Sequence, residues 1–468
     1  MHSHPVDTEV LVIDQALLSR YDKTGPRYTS YPTAVQFTDD FSDSDYIQAT
    51  ALSNVAPSKP LSLYFHIPFC ATLCFYCACN KVVTKNRDRA TEYLKYLYTE
   101  IAMQGELYDD ERVVQQLHLG GGTPTFLSIE QIEQLLAVSK ESFNLVIDKQ
   151  RDYSIELDPR TVSVDAIKDL RELGFNRLSL GVQDFDPHVQ KAVHRIQSEQ
   201  DTLRIIEVAK EQKYESINVD LIYGLPLQNA SSFAQTLDTI VRAAPDRLSI
   251  FNYAHLPQLF MPQRRIKEAE LPTAEQKLDM LSCTVEQLTS AGYVYIGMDH
   301  FAKPDDSLVK ARNQHKLHRN FQGYTSHADC DLIGMGVTAI SSVANCYSQN
   351  IKTLDEYYAV VAQQKLPVSR GININREDFL RREIIESLMC YGEIDFAEFE
   401  KRYEIDFNYY FSKELGDLEK MHFDGLIERN AQRVTVLPPG RFLMRNIGMV
   451  FDAYLQSSQE TPRFSRIV

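Results

Sequence analysis

The sequence predicts an α/β fold: a partial TIM-type (β/α)6 barrel, preceded by an N-terminal arm and followed by a smaller, mainly helical C-terminal domain. Three observations carry that expectation. From about residue 61, short apolar runs of strand length alternate with longer segments of helical period. The unit repeats six times, and such repetition makes parallel sheet whose right-handed crossovers place helices outside it. Beyond about residue 370 the rhythm gives way to helix-rich sequence. An open doubly wound sheet satisfies the same alternation, which by itself does not separate the two.

In order, the strands are LSLYFHI (61–67), VQQLHL (114–119), YSIELD (153–158), NRLSLGV (176–182), INVDLIY (217–223) and DRLSIFNY (246–253). Helical period follows at 89–107, 128–143, 163–173, 201–212, 231–244 and 273–291. Ser128 and Ser163 precede their apolar periodicities and suit N-caps. Glu130 and Asp165 then place negative charge in the first turn, where free amide protons point outward. A further apolar segment, YVYIGM (293–298), extends the sheet or opens another region. The expected organisation is an arm over 1–35 laid across the core, a barrel with extensions over 36–369, and a mainly helical domain over 370–468. Function in barrels gathers at the C-terminal ends of the strands.

Of the 468 residues 64 are acidic and 49 basic, a net charge of -15 that argues against non-specific nucleic-acid binding. A local cationic pocket for an anionic small molecule remains compatible with it. The N-terminus lacks a basic region followed by an apolar run, and no stretch approaches the roughly 18 apolar residues of a membrane span. The expectation is a protein of the reducing cytoplasm with no membrane insertion. His2 and His4 are too few for a tag and read as an unstructured terminus.

Eight cysteines are few for this length, yet four fall between Cys70 and Cys79, directly after the first strand. A disulfide-stapled chain rarely crowds them so, whereas a metal or cluster site does. Cys70, Cys74 and Cys77 are separated by three and two residues, so a short loop turns several thiolates onto one iron–sulfur cube. A tetrahedral zinc, with His66 as a further ligand, is the alternative, although zinc motifs usually come as two separated pairs. Cys79 is either a substrate-side thiol or a small core residue. Cys283, Cys330, Cys346 and Cys390 have no ligand spacing.

Gly120, Gly121, Gly122, Thr123 and Pro124 follow the second strand, and the glycines allow backbone to approach a ligand closely. They match neither the dinucleotide nor the P-loop fingerprint. Glu156, Gln183 and Asp220 are polar residues in or beside apolar runs, where burial without a partner is costly. Together they suggest a ring facing a central cavity. Gly334 and Gly336 bracket Met335 as a cofactor-facing turn or as close packing.

The Cys70-x3-Cys74-x2-Cys77 spacing, with Tyr76 before the last cysteine, resembles the cluster motif of the radical S-adenosylmethionine enzymes. More narrowly, GPRYTSYPTA (25–34), YFHIPFC (64–70), CFYCACN (74–80), HLGGGTPTFL (118–127), FNRLSLGVQDF (175–185), DLIYGLP (220–226) and HRNFQGYT (318–325) resemble the oxygen-independent coproporphyrinogen III oxidases. The resemblance runs from about residue 25 to the C-terminal FSRIV. It implies a [4Fe–4S] cluster on Cys70, Cys74 and Cys77, with S-adenosylmethionine chelating the fourth iron. Gly121, Gly122 and Thr123 would hold the methionine amino group, with Tyr64 and Glu156 beside that cofactor. Gln183, Arg195 and Asp220 would surround paired S-adenosylmethionine sites, two molecules in all, and Ala254 and Ile340 would pack against adenosyl groups. Coproporphyrinogen III would be the substrate, with Arg27 and Arg319 as candidate partners of its propionates and separate electron donor and acceptor. The implied enzyme is a monomer that forms two vinyl groups by a 5′-deoxyadenosyl radical. A haem chaperone or haem transfer protein on the same scaffold is the alternative; such proteins commonly lack the extra cysteine and the GPRYTSYPT arm.

Overall fold

The computed structural model describes residues 11, 13–55, 59–148, 151–327 and 330–457; His2, His4 and the terminal FSRIV lie outside them. The six expected strands form as β1 (Leu61–Ile67), β2 (Val113–Gly121), β3 (Asp152–Leu157), β4 (Arg177–Gln183), β5 (Ser216–Tyr223) and β6 (Arg247–Asn252). They lie side by side in chain order, every pair parallel. Their crossover helices include Asp88–Gly105, Ile129–Ser142, Val164–Glu172, Glu199–Glu211 and Ala230–Ala243. Ser128 and Ser163 cap two of these by accepting from the backbone N–H of Gln131 and Ala166. The sheet is an open path with two ends, a partial barrel.

Side-chain alternation explains why this barrel has a usable interior. Along β3 and β4, Tyr153, Ile155, Leu157, Leu178, Leu180 and Val182 are buried in the apolar core shared with the helices. The alternate face is polar: Ser154, Glu156, Ser179, Asn218, Asp220 and Ser249 reach across neighbouring strands to one another and to His118. Period-two patterning thus builds an apolar outer layer and a polar lumen in one sheet.

The sheet is wider than the sequence reading anticipated. The segment at 293–298 forms β7 (Val294–Gly297), which reaches β6 through β8 (His300–Ala302), both pairings antiparallel. Beyond β1 lies β9 (Asp331–Met335), parallel to it, and then β10 (Ile340–Val343), β11 (Cys346–Asn350) and β12 (Val368–Asn373), each antiparallel to its predecessor. Through β12 the main sheet continues past residue 370. The following domain is built on the helix Arg376–Tyr391 and also holds three short antiparallel strands, Glu393–Asp395, Ile427–Arg429 and Arg433–Val436.

The arm packs against this last domain and also lies across the end of the barrel, where Arg27 Nη2 donates to Asn252 O at 3.4 Å. Leu18, Tyr21, Tyr28 and Tyr31 share an apolar cluster with Ile384, Leu388, Phe411 and Phe451. Arg445 Nε donates to Pro26 O at 2.8 Å, Asn446 Nδ2 to Tyr21 O at 2.7 Å, and the Tyr28 hydroxyl to Asp452 at 2.9 Å.

Glu100, on the first crossover helix, fastens the added strands to the barrel. Its carboxylate accepts from Gly336 N at 2.8 Å, the Tyr357 hydroxyl at 2.5 Å and Asn350 Nδ2 at 2.7 Å. Burial outweighs those donors and pushes its pKa from 4.5 up to about 7. A carboxyl raised on folding is most stabilising while protonated, so its contribution declines as pH climbs from 4.5 to about 7. Over that window the chain should lose up to ~3 kcal/mol relative to Glu100→Gln, which carries no such proton. Denaturant midpoints of both proteins at pH 5 and pH 8 test this; parallel changes would refute it.

Candidate active site

The cysteine loop leaves the C-terminal end of β1. Its root is a short parallel ladder between Phe69–Cys70 and Val82–Val83, closed by Val82 N donating to Pro68 O at 2.7 Å and Thr84 N to Cys70 O at 2.9 Å. Between those anchors Cys74, Cys77 and Cys79 are all free thiols. The Thr123 hydroxyl donates to Cys70 Sγ at 3.5 Å; Arg160 Nη2 and Arg195 Nη1 donate to Cys74 Sγ at 3.5 and 3.6 Å. The Cys79 thiol, hydrogen-bonded to Cys77, outweighs burial and brings the Cys77 pKa down to about 6, with Lys81 assisting; Cys79 itself is pushed up. Burial raises Cys70 to about 11.

Those donors fit an iron–sulfur cluster, because each thiolate of a cube binds a different iron and still accepts hydrogen bonds at sulfur. Among the described residues, no three His, Cys, Asp or Glu side chains converge on a single-ion site. His66, the extra zinc ligand considered above, is committed elsewhere: its Nδ1 pairs with the Tyr64 hydroxyl at 3.1 Å and its Nε2 with Asn80 O at 3.2 Å.

The glycine run packs the end of β2 onto the root of the cysteine loop. Gly121 has φ +115°, and a Cβ there would lie 2.7 Å from the His66 ring; one at Gly122 would lie 2.8 Å from the Pro68 carbonyl. Gly122 N donates to Ile67 O and Thr123 N to Phe69 O, both at 2.9 Å, while Gly121 N donates to Glu156 at 3.2 Å. Tyr64 stacks on His118, 5.7 Å between centroids, and His118 bonds Ser154 at 2.6 Å and Glu156 at 3.3 Å. Thr123 therefore touches Cys70, while Tyr64, Gly121 and Glu156 gather around His118 at the end of β2, on the side of Cys79. Gly334 and Gly336 serve close packing: Cβ atoms there would meet Ile340 O at 2.5 Å and the Tyr93 hydroxyl at 2.2 Å.

On the other side of the loop, Asp158 gathers two arginines. Arg160 Nη2 donates to it at 2.6 Å and Arg195 Nη1 at 3.3 Å, and Arg195 Nη2 also donates to Gly181 O. Burial opposes ionisation, but the two guanidinium groups hold Asp158 below the usual carboxylate range. Gln183 ends β4 at φ +69°, its amide beside Gly181. Asp220 accepts from Asn218 at 2.7 Å and Ser179 at 3.1 Å; enclosure in the lumen and the Glu156 charge raise its pKa to about 6. Asp158 and Arg160 escaped the sequence reading; both lie in the turn that follows β3.

Beneath the loop opens a cavity of about 450 Å³ whose wall includes Arg27, Tyr76, Ala78, Asn252 and Ala254. Arg27 pairs with Asp299 at 3.2 Å and lies 5.9 Å from the Phe251 ring centroid. Arg319 touches the arm at Arg27 O, 3.4 Å away, but its side chain lines a different cavity. Ile340 stands on β10, two strands from β1 and on the opposite side from Glu156; it packs near Phe37 and Tyr347.

A parallel partial barrel with three cysteines on the loop after its first strand defines the radical S-adenosylmethionine class. The chain matches the Radical SAM superfamily over residues 64–240 and the HemN C-terminal domain over 374–443. It is 51% identical over 455 residues to an oxygen-independent coproporphyrinogen III oxidase of Pseudomonas aeruginosa, covering 97% of this chain and 98% of that protein. Identity to the Escherichia coli protein of the same name is 48%, over 97% and 98% of the two chains. The solved E. coli coproporphyrinogen III oxidase, described as a radical SAM enzyme, superposes with a TM-score of 0.90 at 46% identity, over 95% of this chain and 99% of that one. This chain belongs to the oxygen-independent coproporphyrinogen III oxidase family. Its class uses a [4Fe–4S] cluster and S-adenosylmethionine. No helix among the described residues is long and apolar enough to cross a membrane.

Proposed function

We propose that the protein catalyses the oxygen-independent oxidative decarboxylation of two propionate side chains of coproporphyrinogen III to vinyl groups, giving protoporphyrinogen IX. The observation that carries this reading is the three-cysteine loop set over a 450 Å³ cavity, in a chain alike over almost its whole length to oxidases of that name. When bound, cluster and S-adenosylmethionine would supply the one-electron chemistry for removing a hydrogen atom from the propionate, and loss of carbon dioxide to leave a vinyl group would send one electron to the separate acceptor. The chain's own part is to hold and enclose. Cys70, Cys74 and Cys77 are assigned to the cluster. Tyr64, Gly121, Gly122, Thr123 and Glu156 are assigned to the S-adenosylmethionine beside it. Gln183, Arg195, Asp220, Ala254 and Ile340 complete the paired cofactor sites for two molecules. Arg27 is assigned to a substrate propionate at the cavity wall, and Arg319 to another. The protein works as a monomer in the cytoplasm, with a separate electron donor and acceptor. The relatives named above are oxidases, and nothing in the site favours a haem carrier.

Anaerobic reconstitution with iron and sulfide, then incubation with reductant, S-adenosylmethionine and coproporphyrinogen III, tests the reading. Protoporphyrinogen IX and carbon dioxide are expected; an intact cluster that cleaves the cofactor without decarboxylation overturns it. Cys79, exposed beside Cys77, separates ligand from bystander. Cys79→Ser is expected to retain its iron and lose turnover; loss of iron would make Cys79 a ligand.

A further inference from the structure

Parallel register lines up one row of lumen side chains across three strands. Tyr64 on β1 is the register partner of His118 on β2, and His118 is that of Ser154 on β3. The Tyr64 and His118 rings stack with their planes 15° apart. His118 then commits both ring nitrogens to β3: Nδ1 meets Ser154 Oγ at 2.6 Å and Nε2 meets Glu156 Oε1 at 3.3 Å. A neutral imidazole with its proton on Nε2 satisfies both, donating to the carboxylate and accepting from the hydroxyl. The second carboxylate oxygen accepts from Gly121 N at 3.2 Å. The Glu156 side chain is 42% exposed against 16% for His118, so it is the carboxylate that the lumen meets.

Gly120 belongs to the same arrangement. A Cβ there would lie 2.9 Å from His118 Nε2, 3.0 Å from Glu156 Oε1 and 3.0 Å from the Tyr64 ring. The first glycine of the run thus keeps clear the space in which these three side chains meet. A glutamate left to itself samples many rotamers, and a ligand that needs one of them must order it on binding. We propose that His118 is a positioning residue for S-adenosylmethionine, holding the Glu156 carboxylate and the Tyr64 ring in one arrangement before the cofactor arrives. This rests on the assignment of Glu156 and Tyr64 to that cofactor in the function proposed above. The cysteines have other supports, namely the ladder at the root of their loop, Thr123, Arg160 and Arg195, so the cluster does not depend on His118.

The test compares reconstituted wild type with Glu156→Gln, His118→Phe, His118→Gln and Gly120→Ala. Binding of S-adenosylmethionine is read by equilibrium dialysis on the oxidised holoprotein and by titrating the electron paramagnetic resonance signal of the reduced cluster, with iron content measured alongside. His118→Phe keeps a ring against Tyr64 and removes the donor. It should weaken cofactor binding about tenfold or more, as expected for losing one hydrogen bond to a charged group, while iron content and KM for coproporphyrinogen III stay unchanged. His118→Gln, whose amide N–H replaces Nε2–H, should recover most of that loss. Gly120→Ala, which retains every side chain of the row and crowds their meeting point, should weaken binding as His118→Phe does. Wild-type affinity in His118→Phe and Gly120→Ala, beside weakened binding in Glu156→Gln, overturns the proposal. A loss that His118→Gln does not recover, or that extends equally to coproporphyrinogen III, is general damage to the lumen and overturns it too. If His118→Phe does not fold, wild-type affinity in Gly120→Ala overturns it equally. Wild-type affinity in Glu156→Gln withdraws Glu156 from the cofactor, and the positioning role falls with that assignment. His118-dependent binding in a wild type that forms no protoporphyrinogen IX upholds the positioning role and rejects the reaction.

Discussion

Cys74→Ser is expected to abolish the iron–sulfur cluster and every turnover that depends on it. Cys74 is the buried member of the three, and its sulfur accepts from both Arg160 and Arg195, which Asp158 holds in place. Serine offers a harder oxygen that stays protonated at neutral pH and binds iron poorly in a thiolate set. The arginines, Asp158 and the loop's backbone bonds do not depend on the thiol, so the protein should still fold. Iron and sulfide assays after anaerobic reconstitution, beside circular dichroism, make the measurement. Iron content equal to wild type in a folded Cys74→Ser protein would remove Cys74 from the ligand set and with it the three-plus-one division of the cysteine loop.

Arg112→Met should produce the largest loss of stability. Arg112 and Asp331 form an ion pair at 2.6 Å with side chains 1% and 7% exposed. Arg112 also donates to Asn54 and to Lys59 O at 3.1 and 3.0 Å. Asp331 opens β9, the strand that joins the β10–β12 extension to β1. Removing the guanidinium leaves a buried carboxylate whose remaining partners are Ser53 and Ala344 N, and breaking a buried pair in this way costs about 3–5 kcal/mol. Denaturation midpoints measure it. The double variant Arg112→Met, Asp331→Asn should recover part of the loss, because no uncompensated charge remains. A double variant less stable than Arg112→Met alone would show that shape rather than charge holds this junction.

The six parallel strands were legible because each is a local pattern: apolar residues at every second position, then a helical stripe, often with its own cap. Ser128 and Ser163 sit where such caps belong, and β1 to β6 fall within one or two residues of the segments read. The cysteine loop was legible for the same reason, Cys70, Cys74 and Cys77 lying within eight positions of one another. The extension β9–β12 was not, since short strands of mixed burial such as Ile340–Val343 carry little periodicity of their own. Nor was the docking of the arm, whose Tyr28 meets Asp452 across 424 residues.

What the sequence by itself determined, then, is the six alternating strand and helix segments, the cysteine loop and the family. All three rest on residues close in the chain, and the motifs that mark the family are short. Only the tertiary structure decided that Asp158 and two arginines gather at Cys74, that the arm bridges the C-terminal domain and the barrel end, and that Gly336 packs against Tyr93. Each of those depends on which distant side chains share a space and which buried polar atoms find partners there. Chain closure sets that, and no local pattern records it.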